Sequence, residues 1–156
     1  MKPILLIGLG NSLMGDDGVG CAIAERLAHH PRLPDYAEVI CGGPDLLRFA
    51  AEMEGRSRVF ILDAIQDDAE PGSVCVFADC QPELDDRQHH VHHLSAVQAI
   101  RLLEAVAPVR CTLIGIAISS AGMASRLSAA VEARMQAITD RVLEEVGRCP
   151  PDGRRK

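Results

Sequence analysis

Short apolar runs alternate with segments of helical spacing along this chain. Runs of four to eight apolar residues bounded by turn residues are typical of buried strands, whereas apolar positions three and four apart are typical of helices. The pattern predicts strands over 4–7, 38–41, 59–62, 74–77 and 110–118. It predicts helices over 19–29, 44–54, 94–106 and 127–146.

Alternating strands and helices favour a mostly parallel sheet covered by helices on both faces. The segment 64–73 between the third and fourth strands is too short for a parallel crossover, and it contains the turn pair Pro71-Gly72. We therefore expect the fourth strand to run antiparallel to the third, at an edge of the sheet. The predicted fold is α/β, a three-layer α/β/α sandwich with a mostly parallel five-stranded twisted sheet and one antiparallel edge strand.

Composition fits a single globular domain. The chain has 156 residues and a net charge of -6, which suits one domain over 1–148 followed by a flexible tail over 149–156. The acidic balance argues against nucleic acid binding. No run of 18 apolar residues and no signal peptide pattern are found, so we expect a cytoplasmic monomer without a membrane anchor. The six cysteines form no CxxC pair and fit small buried hydrophobes better than a disulfide framework or a four-cysteine zinc site.

The carboxyl ends of the parallel strands mark the expected ligand crevice. Those ends are followed by residues 8–17, 41–44, 63–66 and 119–122. The first of these loops is rich in glycine, but Leu13 stands where a dinucleotide-binding fingerprint has its third glycine. The second strand also ends in Cys41 rather than in an acid that would hold a ribose. These two departures make a nucleotide site the weaker interpretation.

Three aspartates lie in these segments. Asp16 and Asp17 precede the first helix, where one carboxylate suffices as a helix cap and the other is left to face the crevice. Asp63 follows a buried strand, and it either bonds a loop amide or acts in the site. Two carboxylates in one apolar crevice repel each other, so one of them should have a raised pKa unless a cation lies between them.

A histidine cluster precedes the third predicted helix. It consists of His89, His90, His92 and His93. Such a cluster is either a solvated loop that binds metal adventitiously or the source of one imidazole that completes a metal site with the two carboxylates. His29 and His30 are interpreted as a helix C-terminal pair without a function.

The combined pattern resembles the nickel–iron hydrogenase maturation endopeptidases. The specific part is the opening motif, Gly8-Leu9-Gly10-Asn11 together with Asp16-Asp17-Gly18-Val19-Gly20. Weaker matches are Gly42-Gly43, Leu62-Asp63-Ala64, a histidine before the third helix and Leu113-Ile114-Gly115. The resemblance implies an α/β/α fold and an enzyme that removes a C-terminal peptide from the hydrogenase large-subunit precursor after nickel insertion.

The resemblance also implies a set of site residues. Asp17, Asp63 and His93, with His92 as second choice, correspond to the family's metal-contacting residues. The metal is nickel carried by the precursor, and a divalent metal such as zinc or cadmium could occupy the same site. Many members have Glu in place of Asp17. The segment 44–46 also departs from a common Thr-x-Gly pattern, which bears on which hydrogenase is processed.

The expected chemistry is peptide hydrolysis, either of aspartic type or assisted by the metal. Asp17 or Asp63 would serve as the base, and the sequence pattern favours neither of the two. Backbone amides of the 8–20 loop or of Gly42 and Gly43 would bind the substrate tail or the oxyanion. The competing hypothesis is a metal-binding carrier or sensor of the same fold that performs no chemistry. A nucleotide-binding α/β protein is a weaker rival.

Overall fold

Five strands form one sheet in this protein. The computed structural model describes residues 1–66, 68–78, 96–106 and 109–151. The strands are β1 (Ile4–Gly8), β2 (Ala37–Cys41), β3 (Arg58–Gln66), β4 (Val74–Ala78) and β5 (Cys111–Ile118). They lie in the order β2-β1-β3-β5-β4, so β3 occupies the centre of the sheet.

Four of the strands are parallel and the fifth is not. β1 pairs in parallel with β2 and β3, and β3 pairs in parallel with β5. β4 runs antiparallel to β5 at the edge of the sheet, which confirms the predicted antiparallel edge strand. Because β5 lies between β3 and β4, the short connection over 67–73 joins two strands that do not pair with each other.

Helices cover both faces of the sheet. They are α1 (Val19–Ala28), α2 (Ala50–Met53), α3 (Ala96–Val106), α4 (Ala129–Glu132) and α5 (Met135–Gly147). One core cluster joins α1, α4 and α5 to the sheet, and a second joins α2 and α3 to the opposite face. The predicted three-layer α/β/α sandwich is confirmed.

Alternation along β1 shows how a continuous apolar run supplies two cores. Ile4 and Leu6 pack in the cluster under α1 and α5, whereas Leu5 and Ile7 pack in the cluster under α3. All four side chains are buried. Burying an aliphatic side chain of this size stabilises a fold by about 1.5–3 kcal/mol, so the side chains on both faces of β1 favour its position inside the sheet.

The third strand is longer than predicted. The predicted strand over 59–62 stopped just before Asp63, but β3 continues to Gln66 because β5 keeps pairing with it, from Asp63 opposite Gly115 to Gln66 opposite Ile118. β1 ends earlier, with Gly8 opposite Leu62. Asp63 therefore lies one residue past the end of β1, with a paired strand on the β5 side only.

The final helix is interrupted, in contrast to the prediction of one helix over 127–146. Ser128 caps α4, because its side chain accepts a hydrogen bond from the Val131 amide. The Arg134 amide then donates to the carbonyl of Val131, three residues back, and this tighter turn ends α4 before α5 begins. The predicted helix over 44–54 is likewise a 3-10 turn, Leu46–Phe49, followed by the single turn of α2.

Two further expectations concern the ends of the fold and the membrane. Within the described residues, no helix is long and apolar enough to cross a membrane. α5 ends at Gly147, and Cys149 still packs against the core below it. Residues 152–156 lie outside the described ranges, so the domain limits of 1–148 and the flexible tail stay predictions.

Candidate active site

The glycine-rich loop after β1 is held between β2 and β3 by backbone hydrogen bonds. The Leu9 amide donates to the Leu62 carbonyl at 2.8 Å, and the Gly10 amide donates to the Gly43 carbonyl at 3.3 Å. The Gly42 amide donates back to the Gly8 carbonyl at 3.2 Å. These bonds bring the carboxyl ends of the three parallel strands together. We call this side of the sheet its carboxyl edge, and the side where the parallel strands begin its amino edge. The ligand crevice was expected at the carboxyl edge.

Two glycines allow this close approach. Gly10 has a φ of 125°, and a Cβ atom there would lie 1.9 Å from the carbonyl oxygen of Asp17. A Cβ atom on Gly20 would lie 2.2 Å from the carbonyl oxygen of Leu62. The absence of side chains at these positions lets the start of α1 rest directly on the end of β3.

Asp17 lies in the 3-10 turn Gly15–Gly18 that leads into α1. Its Oδ2 atom accepts a hydrogen bond of 2.9 Å from the Asn11 amide, which fixes the carboxylate against the glycine-rich loop. The side chain is half-buried, so it keeps one side open. This position places its negative charge close enough to Asp63 to perturb that carboxyl group.

The carboxyl group of Asp63 has a raised pKa. Burial of its carboxyl group is the largest cause that raises its pKa, and the charge of Asp17 raises it further, to about 7. The Ala64 amide opposes the shift, because it donates a 2.9 Å hydrogen bond to the Asp63 Oδ1 atom and so favours the ionised form. Near neutral pH the carboxyl group therefore exchanges a proton readily beside a second carboxyl group.

This arrangement suits two kinds of chemistry. A carboxyl group with a pKa near the working pH is an efficient general acid or base. A divalent cation between the two carboxylates would relieve their repulsion and would lower the pKa of Asp63. The structure thus brings together Asp17 and Asp63, the two acidic residues that the sequence selected, and it gives them a shared electrostatic environment.

Asp16 has a structural contact instead. It is buried, with 7% of its surface exposed, and its Oδ1 atom accepts a 2.6 Å hydrogen bond from the Ser128 amide. The prediction that one aspartate of the pair caps α1 is wrong, because the N-cap is Gly18 and no side chain bonds there. Asp16 instead ties the first loop to the start of α4, a contact that local sequence does not reveal.

The loop after β5 reaches the same edge. The Gly15 amide donates to the Ala124 carbonyl at 2.8 Å, and the Ala124 amide donates to the Leu13 carbonyl at 3.2 Å. Leu13 and Met123 project from these two loops with 69% and 93% of their surface exposed. Sequence reasoning missed this apolar rim, although two long apolar side chains in polar loops are a signal that could have shown it.

The predicted histidine ligand lies outside the described residues. His89, His90, His92 and His93 all lie in the segment 79–95, outside the described residues. The described ranges contain no group of three or more His, Cys, Asp or Glu side chains arranged to hold a metal ion. A third ligand for Asp17 and Asp63 therefore stays a prediction.

A pair of thiols lies beside the site. The buried Cys21 thiol of α1 donates to the Gly8 carbonyl at 3.3 Å. Burial is the main cause that raises its pKa to about 12, with a further contribution from the Cys41 thiol at the end of β2. Cys21, Cys41, Cys75 and Cys149 are free thiols, and among the five described cysteines Cys21 and Cys111 are buried. The expectation of small buried hydrophobes is thus correct for those two, and Cys80 lies outside the described residues.

Comparison with known proteins gives a consistent result. Residues 21–145 match the family model described as hydrogenase maturation protease. The chain is 30% identical over 144 residues to the hydrogenase 2 maturation protease of Escherichia coli K12, covering 90% of this chain and 88% of that protein.

Solved structures agree with this match. The hydrogenase maturating endopeptidase HybD from Escherichia coli is similar with a TM-score of 0.78 and 28% identity, over 94% of this chain and 93% of that one. A hydrogenase 2 maturation peptidase from a Thaumarchaeota archaeon is similar with a TM-score of 0.70 and 30% identity, over 94% and 99% of the two chains.

Proposed function

Because this chain belongs to the hydrogenase maturation protease family, we propose that Asp17 and Asp63 form the centre that cleaves its substrate. The family assignment makes the protein a peptidase that acts in hydrogenase maturation, removing the C-terminal extension of a nickel–iron hydrogenase large-subunit precursor. The observation that carries the proposal is the Asp63 carboxyl group. Asp63 is half-buried at the carboxyl edge of the sheet beside Asp17, with a pKa raised to about 7.

Nickel enters this proposal as part of the substrate. Two carboxylates and the imidazole of His93 are a donor set that divalent transition metals accept. We assign to Asp17, Asp63 and His93 the task of contacting the nickel that the precursor carries. A precursor without nickel would then lack the contact that seats its C-terminal tail in the crevice.

Cleavage requires a group that activates water and a donor for the oxyanion. The ionised member of the Asp17–Asp63 pair is the proposed base, and the protonated member can return a proton to the leaving amine. The Gly42 amide already donates to Gly8. The exposed Gly43 segment, which we also assign to substrate binding, is therefore the better placed of the two glycines to meet the tail.

The proposed compartment is the cytoplasm. It is supported by the neighbouring free thiols of Cys21 and Cys41. Thiols that lie this close persist in a reducing environment, whereas an oxidising compartment favours their pairing.

The test is the intact mass of a large-subunit precursor incubated with this protein, with and without nickel in the precursor. We expect a C-terminal peptide to be lost from the nickel-loaded precursor only. Equal cleavage of both forms would contradict recognition through nickel. Tight binding of nickel by the isolated protein, with no change in the mass of any precursor from the same source, would instead favour the carrier hypothesis.

A further inference from the structure

A cavity lies at the amino edge of the sheet, where the parallel strands begin, opposite the candidate active site. It has a volume of about 330 Å³ and lies between the starts of the strands and the C-terminal end of α5. Its lining consists of Ile4, Ser57, Arg58, Arg110, Arg148, Cys149, Pro150 and Pro151. We call this space the arginine cavity, since three of the side chains around it are guanidinium groups.

The three arginines come from different elements. Arg58 begins β3, and Arg110 lies beside it, because the Val59 amide donates to the Arg110 carbonyl at 2.9 Å just before β5 begins. Aligned residues of neighbouring strands point to the same face of a sheet, so these two side chains share the face that α5 covers. Arg148 directly follows α5, and it also lines the cavity.

Their positive charge is incompletely balanced. Arg148 donates to Glu145 at 2.7 Å, and Arg58 donates to the neutral hydroxyl of Thr112 at 2.9 Å. Within the described ranges neither Arg58 nor Arg110 has a carboxylate partner, and no acidic residue lines the cavity. The charges of Arg58 and Arg110 on neighbouring strands repel each other. Their positive charge is concentrated at one place in a chain whose net charge is -6.

We propose that the arginine cavity binds a small phosphate-bearing anion, with Arg58, Arg110 and Arg148 as its ligands. Guanidinium groups bind phosphate oxygens through paired, charge-assisted hydrogen bonds, and three of them suit an anion that carries more than one negative charge. The volume falls in the lower range of small-molecule pockets. Ile4, Pro150 and Pro151 supply an apolar wall for the remainder of such a ligand.

Calorimetric titration with pyrophosphate at constant ionic strength tests this proposal. We expect saturable binding by the wild-type protein and an affinity about tenfold or more weaker in Arg110→Gln, whose exposed side chain makes it a safe substitution for folding. Arg58→Gln is a second variant, at a half-buried position, and it should weaken binding in the same direction. Arg26→Gln is the matched control: it removes one positive charge from an exposed side chain of α1 that does not line the cavity. Its affinity should equal that of the wild type.

Three results would overturn the proposal. The first is the absence of saturable heat in the wild type, and the second is equal binding by Arg110→Gln and Arg26→Gln. The third is sulfate binding as tight as pyrophosphate binding, because it would show an unspecific anion site rather than one for a phosphate-bearing ligand. The titration uses no precursor, so its outcome is independent of the proposed peptidase mechanism.

Discussion

At the scale of single residues, neighbouring aspartates have different tasks. Asp16 is buried and accepts a hydrogen bond from Ser128, whereas Asp17 bonds Asn11 and perturbs Asp63. The sequence identified all three as candidates, because aspartates at strand ends and helix starts are conspicuous. It could not assign Asp16, since the bond joins residues 112 positions apart. A contact of that kind follows from the packing of α4 and leaves no local pattern.

The raised pKa of Asp63 predicts a pH-dependent stability. Folding raises this pKa from 3.8 to about 7, so the folded state holds the proton more tightly than the unfolded state. The free energy of unfolding should therefore fall as the pH rises from about 4 through 7. Asp63→Asn removes that titration. The free energy of unfolding of the variant, relative to that of the wild type, should therefore rise between pH 5 and pH 8 by an amount on the order of a few kcal/mol.

Urea denaturation of both proteins in the presence of EDTA measures this difference, because the chelator removes any cation that would lower the Asp63 pKa. A stability difference that stays constant between pH 5 and pH 8 would contradict a raised pKa of the Asp63 carboxyl group.

The partner of Asp63 can be tested by the same titration. Asp17→Asn preserves the size of the side chain and removes its charge, so the pKa of Asp63 should fall below its wild-type value. It should stay above 3.8, because burial is the larger cause of the shift. Carboxyl carbon chemical shifts followed by NMR across the pH range report the value directly. An unchanged Asp63 pKa in this variant would show that the two carboxyl groups do not interact.

At the scale of elements, strand lengths decide where Asp63 lies. The apolar run 59–62 predicted the strand, but its end was wrong because an aspartate is a poor strand residue by itself. Pairing with β5 over Asp63–Gln66 overrides that preference. The break between α4 and α5 has a similar origin, since the apolar spacing of 127–146 is continuous and only the Ser128 cap and the Arg134 turn divide it.

Because α1 and β3 are in close contact, one added methyl group between them should strongly lower the free energy of unfolding. Gly20→Ala would place a Cβ atom 2.2 Å from the Leu62 carbonyl oxygen, so the start of α1 must move away from the strand that carries Asp63. We expect the free energy of unfolding to fall by at least about 2 kcal/mol. Gly122→Ala is the control, because no atom lies within 4 Å of its added Cβ. Thermal unfolding of the two variants compares them, and similar stabilities would contradict this packing.

At the scale of the whole molecule, the two edges of the sheet differ in charge and chemistry. The carboxyl edge has the acidic pair and the apolar rim of Leu13 and Met123, whereas the amino edge has the arginine cavity. Layer architecture and strand direction could be predicted, because they follow from apolar periodicity and connection length. The strand order and the arginine cavity could not, since both depend on which distant segments pack together.

The central claim is that Asp17 and Asp63 act together in cleavage, and it is tested most directly by the rate at which a nickel-loaded precursor loses its C-terminal peptide. General acid or base catalysis contributes about 10²–10⁴-fold, so Asp17→Asn and Asp63→Asn should each be at least about 100-fold slower than the wild type. Asp16→Asn makes the same change of charge at the adjacent position and keeps an oxygen to accept the Ser128 bond, so its rate should stay close to that of the wild type. Cleavage at the wild-type rate by Asp17→Asn or Asp63→Asn would contradict the account.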